Sequence, residues 1–150
     1  MEEESHWTSI EDMDAFRRIE CLTDKVWSIV GSWSPFARDT IGKQLVRAAD
    51  SVGANLVEGD GRFHHREKLH FFYVARASAR EANYWVRRAS VRGLLPEDLQ
   101  LPLQTEISTA IRWINGRIKQ RREWMNEVHE PHAVYDAGIE CDSSGDQLTN

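Results

Sequence analysis

A chain of 150 residues that is 41% hydrophobic and 29% charged has the size and composition of one globular domain with an apolar core. No run approaches the roughly 18 apolar residues of a transmembrane helix, the acidic opening Met1-Glu2-Glu3-Glu4 contradicts a secretory leader, and Cys21 and Cys141 do not make a disulfide framework, so a reducing cytoplasm is expected. The formal net charge is −5, yet all 19 Lys and Arg and 16 of the 24 acids lie between residues 11 and 128, which leaves that segment with three positive charges in excess and both ends acidic.

Four segments carry apolar residues at helical period, and none alternates with the period of a strand. The first covers about residues 11–30, with Phe16, Ile19, Leu22, Thr23, Val26, Trp27 and Val30 on one face. Gly31 to Pro35 interrupts it, and Ser34-Pro35 suits an N-cap followed by a first-turn proline. The second covers residues 36–58 and stops at Gly59-Asp60-Gly61. A third runs over residues 65–92 and closes at Gly93. Leu94-Leu95-Pro96 turns into the fourth, which extends to about Val128, with Pro102 placed to notch its first turns or delay its start. Short connections make sequential helices antiparallel neighbours. The expected architecture is therefore all-α: an antiparallel up-down four-helix bundle over residues 11–128, an N-terminal extension over 1–10, and a disordered acidic C-terminal tail over 129–150.

On a helical wheel of about 100° per residue the second segment separates two stripes. Ile41, Leu45, Ala48, Val52 and Leu56 face the core. Beside them run Gln44, Arg47, Ser51, Asn55 and Glu58, which form either a wet flank or a hydrogen-bonded structural polar network between helices. The third segment has an apolar arc broader than one bundle needs, from Leu69 and Phe71 to Val86 and Ala89, with Glu81 projecting into it. A carboxylate there is expensive without a cation or several donors, and Arg47 is the expected partner. The fourth places Leu103, Ile107, Ile111, Ile114, Ile118 and Met125 on its core face, with Trp113 and Trp124 on a second patch. Trp85, Trp113 and Trp124 are expected at an oligomer interface, because exposed large aromatics favour such surfaces.

Two basic clusters are candidates for nucleic-acid contact. Arg76, Arg80, Arg87 and Arg88 lie on the third segment; Arg117, Lys119, Arg121 and Arg122 lie near the end of the fourth. Arginine's planar fork bonds two phosphate oxygens at once, although charge runs on helices are often just solvated faces. Chemistry is harder to find. His64, His65 and His70 lack the further ligands of a metal site, Gly59-Asp60-Gly61-Arg62 follows no strand and is a helix cap rather than a phosphate loop, and Glu81 has no nucleophile beside it in sequence. No catalytic residue, metal or cofactor is expected.

The stretch Gln44-Leu45-Val46-Arg47-Ala48-Ala49-Asp50-Ser51-Val52, with Asn55-Leu56-Val57-Glu58-Gly59-Asp60-Gly61-Arg62 after it, resembles the central signature of a bacterial four-helix-bundle family. That family was first noticed as proteins encoded in intervening sequences of large-subunit ribosomal RNA genes. Ala75-Arg76-Ala77-Ser78-Ala79-Arg80-Glu81, with Gly93-Leu94-Leu95, resembles its second block, though Ala77 replaces the usual glycine, and Val52 and Leu56 the usual isoleucines. The likeness covers about residues 11–125. It implies a non-enzymatic protein that assembles as a homopentamer. Relatives include the accessory variability proteins of diversity-generating retroelements, so possible partners are structured RNA or DNA and a reverse transcriptase, with no membrane. The alternative is a protein–protein adaptor bundle without nucleic-acid contact.

Overall fold

The computed structural model describes residues 9–127; the expected tail over 129–150 and most of the N-terminal extension lie outside the described residues. A single 3-10 turn, Ile10–Asp12, leads into α1 (Asp14–Gly31). Helix α2 occupies residues 35–61: an α-turn Pro35–Ala37, a π-helical segment Arg38–Gly42 and the α-helix Lys43–Gly61. Helix α3 is His65–Val91 and α4 is Glu97–Glu127. Each helix packs on its two neighbours around a ring, α1 on α2 and α4, α3 on α2 and α4. This is the antiparallel up-down four-helix bundle that the periodicity predicts.

Local chemistry explains the corners. Ser34 accepts a hydrogen bond from the Ala37 amide at 3.4 Å, and Pro35 fills the first helical position, where its missing N–H costs nothing. At the end of α3, Gly93 has φ of +72°, which a residue with a Cβ resists. That turn lets the Leu94 amide reach the Ala89 carbonyl (2.9 Å) and the Gly93 amide reach Ser90 (3.0 Å), a Schellman closure. Pro102 neither delays nor breaks α4, which begins at Glu97 and passes through it.

Two glycines permit close helix approach. A Cβ on Gly42 would lie 2.6 Å from Val30 Cγ1, so the π-helical segment of α2 rests directly on the end of α1. A Cβ on Gly59 would lie 2.9 Å from Phe71 Cβ, which brings the end of α2 against the start of α3. Inside, the buried seam of α3 is made largely of Ala75, Ala79, Ala82 and Ala89. These small residues admit the larger side chains of the facing helices, among them Val26, Leu45, Leu56, Ile107 and Ile114, all at most 2% exposed. Every residue of the expected α2 core stripe is buried.

One assignment on α1 needs correction. Trp27, read as part of the core face, is 68% exposed. The centre of that face is defined by Ile19, Val26 and Val30, and Trp27 lies about 80° from it on the wheel. It looks outward over a depression between α1 and α2 lined also by Val30, Val46 and Arg47.

Candidate nucleic-acid interface

The α3–α4 pairing brings basic side chains from both helices to one groove. Arg76 donates to Asn115 Oδ1 across it at 3.1 Å, and the guanidinium also stands 5.3 Å from the centre of the Tyr73 ring. Lys119 and Arg122 line the same groove with Asn126 and Glu123. Lys119 and Glu123 form an exposed pair at 3.7 Å, loose enough to exchange for another anion. Arg80 and Arg87 are exposed and continue the Arg76 side of α3 toward the other end of the bundle. Arg88, half-buried, lies about 120° around the helix from Arg76 and does not join that side.

Arg117 and Arg121 are not part of the groove. Spacings of four, three, four, three and four connect Leu103, Ile107, Ala110, Ile114, Arg117 and Arg121, so the two arginines continue the core seam of α4. Opposite them, Lys68 opens the core seam of α3 that proceeds through Phe72, Ala75, Ala79, Ala82 and Val86. Because the helices are antiparallel, all three cations meet at one pole of the bundle. Lys68 is only 5% exposed; its ammonium donates to the Asp60 carbonyl at 2.6 Å, at the C-terminal end of α2. Arg121 donates to His65 Nδ1 at 3.0 Å, and the His65 ring lies against Trp124 with centroids 3.8 Å apart. An arginine has no acceptor to offer, so this bond requires an unprotonated Nδ1. Burial pushes the Lys68 pKa below its ordinary value; the Asp60 carboxylate opposes that shift, and Arg121 and Arg117 add to it. Burial and Arg117 likewise push Arg121 down. Helix spacing alone exposes this pole, since a lysine and two arginines stand where the seam calls for apolar residues. Reading Arg117 and Arg121 as part of a surface charge run concealed it, and Lys68 was missed altogether.

The structural polar network expected on α2 divides into three. Asn55 donates to the Ser51 carbonyl (2.7 Å) and to Ser51 Oγ (2.9 Å), and the Ser51 hydroxyl shares a 3.1 Å hydrogen bond with Ser78 of α3. Glu58 pairs with Arg62 one turn further along its own helix end. Gln44 and Arg47 are exposed. The expected Arg47–Glu81 ion pair does not form within the single chain. Glu81 is exposed, because the margin of the apolar arc around it, Val74 and Trp85, is itself only half-buried; its carboxylate accepts from Trp85 Nε1 at 3.2 Å. Arg47 and Glu81 instead line one open depression with Gln44 and Ser51.

The three tryptophans assigned to an oligomer interface differ in setting. Trp85 and Trp113 are half-buried against the bundle's own core, while Trp124 is 38% exposed over His65. More exposed than any of them is Trp27. Partial burial raises the Asp50 pKa on α2, and the negative charge of Asp24 on α1 adds to the shift. Among the described residues no cluster of three His, Cys, Asp or Glu is arranged to hold a metal ion. Cys21 is free and exposed. No helix among the described residues is long and apolar enough to cross a membrane.

Fold and surface together define a small all-helical bundle with a basic α3–α4 side and a cationic pole. Residues 11–116 match the family of 23S rRNA-intervening sequence proteins, and the chain belongs to that family. A solved structure with the same fold is a protein of unknown function from the S23 ribosomal protein family of Bacteroides thetaiotaomicron. It superposes with a TM-score of 0.64 at 14% identity, over 70% of this chain and 98% of that one. No curated protein matches the sequence.

Proposed function

We propose that the protein is a non-enzymatic cytoplasmic accessory protein that works as a homo-oligomer, a pentamer by family likeness, and binds structured RNA or a nucleic-acid enzyme such as a reverse transcriptase. The observation that carries this reading is the α3–α4 groove, where Arg76 meets Lys119 and Arg122 from the neighbouring helix. Guanidinium groups and an ammonium held along one groove suit the regular spacing of backbone phosphates. Oligomer formation is supported by large apolar side chains that the single bundle leaves open: Trp27, at 68% exposure on the depression that also holds Val46 and Arg47, and Phe36 at 80%. Arg47 and Glu81, neither of which forms an ion pair among the described residues, fit the same idea, since each can be paired by a second copy. Copies around an axis would merge modest grooves into a longer basic surface.

Electrophoretic mobility shifts with a structured RNA over a salt series, alongside sedimentation of the free protein, test both halves. Retardation that weakens steeply with salt, from a protein larger than a monomer, is the expected result. No retardation at low salt, alone or with a co-encoded partner, would remove the nucleic-acid reading. The adaptor alternative has its own support in the outer face of α3, where Tyr73, Ala77, Tyr84 and Val91 are exposed at helical spacing. Charge reversal at Arg76, Lys119 and Arg122 separates the two: an adaptor keeps its protein partner, whereas a nucleic-acid binder loses RNA.

A further inference from the structure

The solvent face of α3 repeats two residue types that a face meant only for water seldom combines. Arg66, Tyr73, Arg80 and Arg87 follow one another at seven-residue spacing, and Tyr84 lies one turn beyond Arg80. Seven residues fall about 20° short of two helical turns. These side chains therefore stay within a band about 60° wide along about 30 Å of helix. Each is exposed, Tyr73 at 37% and Tyr84 at 46%. No carboxylate of α3 shares the band, since Glu81 stands about 80° from Tyr73 and Glu67 about 120°. The groove of Arg76, Lys119 and Arg122 borders it on the α4 side, and the depression of Arg47 and Glu81 borders it on the α2 side. A wet helix face gains from opposite charges one turn apart, whereas Arg76 and Arg80, spaced by four, repel.

Tyrosine and arginine also favour protein interfaces, but there the anchors cluster at a dry centre. Here the two rings are eleven residues, about 16 Å, apart with Arg80 between them, so they share no centre. Alternating π faces and guanidinium groups instead match an unpaired strand, which presents stackable bases and phosphates along its length. The rings are set for such contacts. The Arg76 guanidinium stands over Tyr73, 5.3 Å from the ring centre, and leaves the opposite face to a base. An edge contact with Trp85, centroids 5.0 Å apart, steadies Tyr84. A duplex keeps its bases stacked on one another and offers the tyrosines nothing.

We infer that the outer face of α3 binds a single-stranded stretch of RNA, with Tyr73 and Tyr84 each stacking an unpaired base and Arg66, Arg80 and Arg87 holding phosphates beside them. This rests on the nucleic-acid reading and deepens it: the α3–α4 groove accounts for phosphate alone, whereas the tyrosines select unpaired bases.

The test is fluorescence anisotropy of the full-length protein with a labelled single-stranded RNA of about 12 nucleotides, a length within the site sizes of single-strand binders. The same titration with an RNA duplex of equal length, both over a salt series, completes it. Variants Tyr73→Leu and Tyr84→Leu remove the π face, and Tyr73→Phe and Tyr84→Phe keep it. All four sites are exposed, and leucine and phenylalanine suit a helix about as well as tyrosine, so the bundle folds. Each leucine variant should bind the single strand about five- to hundredfold more weakly, the loss of one stacked base. Its salt slope should match wild type, because no charge has been removed. Each phenylalanine variant should stay within about twofold of wild type, and duplex affinity should not change in any of them. Unchanged single-strand affinity in the leucine variants would overturn the inference and leave the face to a protein partner. Equal losses for leucine and phenylalanine, or equal losses on the duplex, would overturn it too. Sedimentation showing that the leucine variants form a smaller assembly than wild type would assign the tyrosines to a second copy of the chain and have the same effect. A wild type that binds duplex but no single strand would sink this inference and leave the proposed function standing; a wild type that binds neither would remove both.

Discussion

Replacing Gly59 by alanine should destabilise the protein, whereas replacing Gly116 by alanine should stabilise it. Both glycines lie within helices, so each substitution gains about 1 kcal/mol of helix propensity. The surroundings decide the sign. A Cβ at Gly59 meets Phe71 Cβ at 2.9 Å and the Phe72 ring at 3.0 and 3.1 Å, well inside ordinary carbon contact. The Phe71 Cβ is fixed to its backbone and Phe72 is fully buried, so neither can turn away and α2 must move off α3. Overpacking of this kind costs about 1–3 kcal/mol, and more where backbone must shift, so a net loss of about 1–2 kcal/mol is expected. At Gly116 an added Cβ meets nothing within 4 Å, and the full propensity gain should appear. Urea denaturation at one fixed protein concentration measures both, since an oligomer's stability depends on concentration. In thermal melts each kcal/mol should move the midpoint by about 2–4 °C. If Gly59→Ala gained stability as Gly116→Ala does, the α2–α3 contact at that point would not exist and the bundle geometry around it would be wrong.

Phe72→Ala should cost about 3–5 kcal/mol in the same denaturation assay, because the ring is fully buried beside Gly59 and its removal leaves a cavity. Asp50→Asn should raise stability at neutral pH by about a few tenths of a kcal/mol, since it removes a carboxylate that is partly desolvated and repelled by Asp24. A raised folded pKa means that the charged form opposes folding, so the gain should vanish as pH falls below the ordinary value of 3.8. For Lys68 the folded pKa is depressed, so its charge opposes folding at neutral pH and this cost is relieved as pH rises through the folded value toward 10.5. Lys68→Met should therefore be within about 1 kcal/mol of wild type at pH 7. Wild type should gain on the variant between pH 7 and pH 10, as denaturation at the two pH values would show.

The bundle was legible because its apolar spacing is nearly unbroken, and because Ser34-Pro35 and Gly93 punctuate it with residues suited to those conformations. The core stripe Ile41, Leu45, Ala48, Val52 and Leu56 could be read directly for the same reason. Residues at the margin of a stripe were not legible. Trp27 and Glu81 each lie on the edge of an apolar arc, where a wheel cannot say whether a neighbouring helix covers them, and both turn out exposed. The Arg47–Glu81 pairing failed on this point: a wheel gives direction on one helix but no distance to another. The cationic pole failed differently. Its signal was present in the heptad spacing of Lys68 and of Arg117 and Arg121, but charge identity drew these residues into a surface patch. The π-helical segment at Arg38–Gly42 had no sequence counterpart beyond Gly42, whose meaning depends on where Val30 lies.

The most direct test of nucleic-acid binding through the α3–α4 side is the salt slope of RNA affinity for wild type and for a variant combining Arg76→Gln, Lys119→Gln and Arg122→Gln. These side chains are exposed or half-buried and outside the core, so the bundle should fold. If the three contact phosphates of single-stranded RNA, the slope of log affinity against log salt should become shallower by about two. An unchanged slope and affinity would place the RNA elsewhere and contradict the groove as the interface.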